Sequence, residues 1–149
     1  MRISIASDHG GYDLKEDLKS WLTEQGHQVE DFGCAGHDSC DYADFCGPAA
    51  RAVAEGKCER GIVICTTGIG ASITANKVKG VRCALCSEPW SAQMTRRHNN
   101  ANVLAMGAGC VGPLMARQIV EAFLSYEFEG GRHQRRIDKI AAIEDRREA

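Results

Sequence analysis

Short apolar runs alternate with stretches of helical periodicity along almost the whole chain, and this alternation restricts the fold more than any other feature. Arg2–Ser7, Gln28–Phe32, Ile62–Cys65, Arg82–Cys86 and Val103–Met106 read as strands. Tyr12–Gln25 carries Leu14, Leu18, Trp21 and Leu22 at helical spacing and stops at Gly26. Asp41 stands at the cap of a helix running to about Glu55, with Pro48 able to shift its start. Helical stretches follow at Ala71–Lys77, at Glu88–His98 with Pro89 in its first turn, and at Pro113–Tyr126. After Gly130-Gly131 a last helix carries Ile137, Ile140, Ala141 and Ile143. Strands alternating with helices predict a parallel sheet covered on both faces. With 149 residues and no repeat or linker, the chain fits a single α/β domain.

Gly61–Lys77, GIVICTTGIGASITANK, concentrates the chemistry. A β-branched strand delivers Cys65, Thr66 and Thr67 into a turn with Gly68, Ile69 and Gly70, and a helix follows. Backbone N–H groups and the positive end of a helix dipole suit an anion there, and a thiol at such a place has reason to ionise. Three familiar templates fail. The phosphate loop needs Gly-Lys-Ser/Thr, but Ala71-Ser72 follows Gly70. A dinucleotide fingerprint needs a small residue where Ile73 stands. A cysteine phosphatase loop places arginine at the position of Ala71. What remains is a cradle for an oxyanion beside a thiol.

Composition removes other classes. A net charge of −2 gives no basic excess for nucleic acid, and no apolar run approaches the ~20 residues of a membrane span. The first residues enter a strand pattern without a signal-peptide layout, which points to the cytoplasm and away from a disulfide framework for the eight cysteines. Cys83 and Cys86 are three apart on a strand and face opposite ways, so they do not share a metal. Cys34, His37, Cys40 and Cys46 cluster in sequence but match no common zinc spacing. No metal is expected.

Open parallel sheets bind ligands beyond the carboxyl ends of their strands. Asp8 and His9 leave the first strand at that edge, facing the Cys65–Gly70 loop across a crevice. His98 and Asn99 precede the fifth strand and therefore lie at the opposite edge, and a strand of ~5 residues spans about 17 Å. His98 is either unrelated to Cys65 or part of a neighbouring subunit's site, and the second option predicts a symmetric oligomer. Arg132 and Arg136, four apart, share one helical face suited to a phosphate, with Arg135 as a solvated neighbour. Each residue also has a plain structural reading. Cys65 is then a small core residue, Asp8 a helix cap, His98 a helix-end residue favoured by the dipole, and the arginines a solvated face.

Taken together, the motifs go further. Ser7-Asp8-His9-Gly10-Gly11, Asp41-Tyr42, Ile64-Cys65-Thr66-Thr67-Gly68-Ile69-Gly70 and Ala75-Asn76-Lys77 stand in one order. They are followed by Cys86-Ser87-Glu88-Pro89, Arg97-His98-Asn99-Asn100-Ala101-Asn102-Val103-Leu104 and Glu129-Gly130-Gly131-Arg132-His133. In these the chain resembles, almost end to end, the type B ribose-5-phosphate isomerases, in the family that includes galactose- and allose-6-phosphate isomerases.

The resemblance implies a Rossmann-like three-layer α/β/α sandwich around a five-stranded parallel sheet. It implies reversible conversion of ribose 5-phosphate to ribulose 5-phosphate without metal or organic cofactor. Cys65 is then the base moving a proton between C2 and C1, and Thr67, the Thr66–Gly70 amides and Asn99 steady the enediolate oxygens. His98 opens the sugar ring, Asp8 assists at the hydroxyls, Tyr42 lines the pocket, and His9, Arg132 and Arg136 hold the phosphate. It also implies a homodimer or dimer of dimers with sites at the interface, the C-terminal helix, about 132–147, packing on a partner subunit. Two residues depart from the family pattern: Thr66 replaces a common glycine, and Gly109 replaces an arginine that helps bind phosphate. Gly109→Arg is accordingly expected to lower KM. The rival readings are isomerisation of a six-carbon sugar phosphate and a non-catalytic sugar-phosphate-binding domain.

Overall fold

Side chains on a strand alternate between faces, and here each face meets its own set of helices. A computed structural model describes residues 1–148. Its strands are β1 (Arg2–Ser7), β2 (Gln28–Asp31), β3 (Arg60–Cys65), β4 (Cys83–Leu85) and β5 (Val103–Gly107). Its α-helices are α1 (Tyr12–Glu24), α2 (Tyr42–Ala54), α3 (Ile69–Asn76), α4 (Pro89–Asn99), α5 (Pro113–Ser125) and α6 (Arg132–Glu148). The strands form one parallel sheet in the order β2-β1-β3-β5-β4. From β3, Ile62 and Ile64 join one core with Leu14, Leu18 and Leu22 of α1 and Ile119 and Phe123 of α5. Val63 and Cys65 point the other way, into a core with Cys46 and Ala49 of α2 and Ala71 and Ala75 of α3. The result is a single domain of three layers, α/β/α.

The same alternation separates Cys86 and Cys83, which lie in the two different cores. Element boundaries differ from the sequence reading by one or two residues, the largest changes being β3 and α3, which start two residues earlier, at Arg60 and Ile69. Asp41 occupies the cap position of α2, but its carbonyl, rather than its side chain, takes the Asp44 N–H at 3.1 Å. Pro48 sits inside α2 and does not shift its start. Arg96, 2% exposed, donates to the carbonyls of Ala101 and Tyr126 and to Asn100 Oδ1, tying α4 to the strand and helix that follow. Burial, together with nearby Arg60, pulls its guanidinium down to about 10, still charged at neutral pH. No described helix is long and apolar enough to cross a membrane.

Beyond their paired strands, β3 and β5 stay joined. Ala108 N–H donates to the Cys65 carbonyl at 2.9 Å and Gly109 N–H to the Thr66 carbonyl at 2.8 Å. Gly68 makes this close approach possible. Its φ of +77° is left-handed, and a Cβ there lies 2.7 Å from the Met106 carbonyl carbon and 2.9 Å from the Gly107 nitrogen. Gly68→Ala is therefore expected to destabilise the protein by about 2 kcal/mol or more, from backbone strain plus overpacking. A urea unfolding midpoint equal to wild type contradicts this.

Candidate active site

The crevice between β1 and β3 is where the chain reverses its direction across the sheet, so the loops after these strands part. A cavity of about 390 Å³ opens there, lined by Asp8, Tyr42, Cys65, Thr66, Thr67 and Ile69 together with Gly70 and Ile73. Because Cys65 is on the α2/α3 face, its sulfur meets side chains of those two helices. The Tyr42 ring packs against Gly70, where an added Cβ falls 2.4 Å from the ring.

Cys65 is buried, and Gly68 N–H donates to its sulfur at 3.2 Å. Ile69 N–H donates to Thr67 Oγ1 at 3.2 Å, and the first full turn of α3 closes with Ser72 N–H on the Gly68 carbonyl at 3.0 Å. The first amides of α3 thus have no helical carbonyl one turn back, and Ile69 and Gly70 among these residues line the cavity. Burial first, then the neighbouring Cys65 and Asp8, push the Cys46 thiol up to about 12, so it remains a neutral neighbour. Asp8 caps the short 3-10 turn His9–Gly11 by accepting from Gly10 and Gly11 at 3.0 and 3.2 Å. Capping and site placement therefore coexist at Asp8. Cys40 N–H donates to His9 Nδ1 at 3.2 Å.

His98, Asn99, Arg132 and Arg136 stand apart from this cavity, at the amino edge of the sheet. There the His98 ring stacks on His133, centroids 4.2 Å apart and planes 12° apart. Glu129 accepts from Arg97 at 3.0 Å and lies 3.9 Å from His98 Nε2. His133 is 5% exposed, and its Nε2 is buried with no hydrogen-bond partner. Burial, then His98 and Arg132, hold its imidazole below the usual range, so it stays neutral. Asn99 borders a second cavity of about 520 Å³ between α6 and β4, with Arg82, Ile140 and Ile143. Asp8, Tyr42 and the Cys65 loop share the first cavity, and neither His98 nor Asn99 lines it.

Glu129 and His133 were assigned no role from sequence. Their only signal is their place in the Glu129–His133 motif. Among the described residues, His98, Glu129 and His133 form the group within metal-ligating reach, their donor atoms all within 4.8 Å. Parallel rings do not direct in-plane lone pairs at one point, Arg97 already engages Glu129, and Arg132 and Arg136 add positive charge. This set suits an anion better than a cation. Cys34, His37, Cys40 and Cys46 do not converge: Cys46 is in the core, His37 pairs with Asp13 at 2.7 Å, and Cys40 sits on His9.

Known proteins resemble this chain over nearly its whole length. The family model described as Ribose/Galactose Isomerase matches residues 3–140. Ribose-5-phosphate isomerase B of Escherichia coli is 47% identical over 98% of both chains. A D-erythrulose-4-phosphate isomerase of Pectobacterium atrosepticum is 40% identical, over 97% of this chain and 95% of that one. The structure of Clostridium thermocellum ribose-5-phosphate isomerase B superposes with a TM-score of 0.97 at 51% identity, covering 98% of this chain and 99% of that one.

Thr66 is wedged between the loops after β1 and β5. A Cβ on Gly10 falls 2.2 Å from Thr66 Oγ1, and one on Gly109 falls 3.1 Å from the Thr66 carbonyl oxygen and 3.2 Å from its γ-methyl. The gain expected of Gly109→Arg thus meets Thr66. The single variant is expected to lose about 1 kcal/mol, roughly 3 °C in Tm, with no fall in KM. Thr66→Gly combined with Gly109→Arg removes the γ-methyl contact though not the carbonyl one, and is expected to lower KM for a sugar phosphate relative to the single variant. Equal KM values for the single and double variants contradict the coupling.

Proposed function

The chain belongs to the ribose/galactose isomerase family, and on that premise we propose that it interconverts ribose 5-phosphate and ribulose 5-phosphate through a cis-enediolate. The observation that carries this reading is the Cys65 sulfur, 3.2 Å from the Gly68 N–H, in a cavity edged by amides and hydroxyls at the carboxyl end of the sheet. A sugar C2–H is a weak acid, and a thiolate removes it efficiently only if the oxygen charge is met as it forms. The Gly68 N–H is a donor that a thiolate accepts better than a thiol.

In the proposed reaction His98 donates a proton to the ring oxygen while the Asp8 carboxylate takes one from the anomeric hydroxyl, which gives the open aldose. Cys65 then takes the C2 proton, the C1 carbonyl oxygen gains charge, and amides of the Thr66–Gly70 loop, Thr67 and the Asn99 side chain stabilise it. The O2 proton passes to O1, Cys65 returns its proton to C1, and the ketose results. His9, Arg132 and Arg136 hold the remote phosphate, which fixes C1 and C2 against the sulfur. Tyr42, its ring on Gly70, bounds the sugar.

His98, Asn99, Arg132 and Arg136 act in the site of a partner subunit in this reading, so the protein works as a dimer or a dimer of dimers. Support comes from their place at the sheet edge opposite Cys65 and from exposed apolar residues beside each half. Ile69 and Ile73 are 53% and 55% exposed beside Cys65, and Ile140 and Ile143 are 50% and 54% exposed on α6. The face of α6 that exposes Ile140 and Ile143 is proposed to lie against the partner. Its far end is held by its own chain, Glu144 accepting from Gly80 N–H at 3.1 Å.

A six-carbon substrate such as allose 6-phosphate or galactose 6-phosphate is favoured by one feature, a Gly109 that presents no side chain to the crevice. Parallel kinetics with ribose, allose and galactose phosphates separate the two readings. Ribose 5-phosphate is expected to have a kcat/KM at least about tenfold above the others. Cys65→Ala is expected to lower kcat by about 10²-fold or more while the sugar phosphate still binds. Undiminished turnover in Cys65→Ala assigns the base elsewhere, and binding without turnover in wild type makes the protein a sugar-phosphate-binding module.

A further inference from the structure

Lys15, early in α1, is 1% exposed and takes no part in the steps above. Its ammonium lies 2.7 and 2.9 Å from the two Asp31 oxygens, 3.0 Å from Glu16 Oε1 and 5.3 Å from the Tyr12 ring centroid. Lys19 adds a contact of 2.8 Å to Asp31. Withdrawing an ammonium from water is costly, so a buried lysine persists where its partners are fixed around it. Burial works to raise the Asp31 carboxyl, but Lys15 and Lys19 outweigh it and hold the group below the usual carboxylate range.

This ion cluster grips the loop that lies against the substrate side of the sheet. Asp31 Oδ1 also accepts the Gly33 N–H at 2.9 Å. The Gly33 carbonyl accepts from Ser7 N–H, and Cys34 N–H donates to the Ser7 carbonyl, both at 2.8 Å. Ser7 leads directly into Asp8. The loop is then stapled by Cys34 Sγ on the Gly36 carbonyl at 3.3 Å and by His37 on Asp13 at 2.7 Å. It returns to the site at Cys40, whose N–H donates to His9 Nδ1 at 3.2 Å. Since Nδ1 accepts there, the imidazole proton is assigned to Nε2, and the opposite side of the ring presents an N–H donor without requiring a charged ring.

We infer that Lys15 is a positioning residue: through Asp31 and residues 33–40 it holds His9 as an Nε2–H donor for the substrate's phosphate. The inference rests on the proposed role of His9 as a phosphate ligand. It adds a reason for a buried ammonium with half-buried partners to sit between α1 and the end of β2 instead of an apolar contact, which is often as stable or more so.

The test uses Lys15→Met, Lys15→Arg and Asp31→Asn in the full chain. Readouts are steady-state kinetics with ribose 5-phosphate, inhibition by inorganic phosphate, and the His9 tautomer from nitrogen-15 NMR. Lys15→Met is expected to raise KM and the phosphate inhibition constant by about tenfold, with kcat within about threefold of wild type. The His9 signals should pass from one Nε2–H tautomer to a mixture, and Lys15→Arg should lie between wild type and Lys15→Met. Asp31→Asn is expected to reproduce the effect and serves if Lys15→Met does not fold. A folded Lys15→Met or Asp31→Asn with unchanged tautomer and phosphate inhibition overturns the inference, whatever its kcat. If wild type fails to turn over ribose 5-phosphate, the proposed reaction fails, while the tautomer and phosphate measurements still decide the role of Lys15.

Discussion

The pairing of β3 with β5, continued past both strands by Ala108 N–H on the Cys65 carbonyl and Gly109 N–H on the Thr66 carbonyl, fixes everything chemical in this protein. It holds the first residues after β3 rigid, so that Gly68 can turn left-handed and direct its N–H at the Cys65 sulfur. Without that strap the thiol faces a mobile loop, and oriented donors lose most of their value, because stabilising a developing charge depends on donors already in place. The glycines at 68 and 107 are consequences of the strap, as two backbones this close leave no room for a Cβ.

A parallel sheet also imposes a separation. All strands run one way, so residues after strands and residues before them lie at opposite edges, a strand length apart. Cys65, Thr67, Asp8 and Tyr42 gather at one edge, and His98, Asn99, Arg132 and Arg136 at the other. The separation is a property of the architecture, and a two-fold axis is the simplest operation that returns the second set to the first. The charges divide in the same way. The amino edge carries Arg97, Arg132 and Arg136 around a neutral, buried His133, while the cavity at the carboxyl edge offers a thiol, hydroxyls and amides. The proposed reaction calls for two such environments, one for a stable dianion and one for a transient oxyanion.

The layers, the five strands and the Cys65 loop were legible in the sequence, since periodicity and small-residue turns report directly on burial and backbone shape. Even the opposite facing of Cys83 and Cys86 followed from a period of two. Boundaries were less legible: α3 begins at Ile69 because the turn at Gly68, set by contacts with Met106 and Gly107 far along the chain, lets the helix start early. The same limit applies to Asp41, whose carbonyl acts where its side chain is expected to, and to the close Thr66 contact at Gly109, which joins residues far apart in the chain. His133, Glu129 and Lys15 were invisible as participants, because their partners are 35, 31 and 16 residues away, at His98 and Asp31.

The central claim is that one chain supplies the thiol and its partner supplies the histidine. Cys65→Ala and His98→Asn, each expected to be inactive alone, can be unfolded together and refolded at equal amounts. Random pairing makes half the dimers mixed, and each mixed dimer has one site with both native residues, so activity should return to about a quarter of wild type. Activity that stays at the level of the separate variants contradicts a shared site.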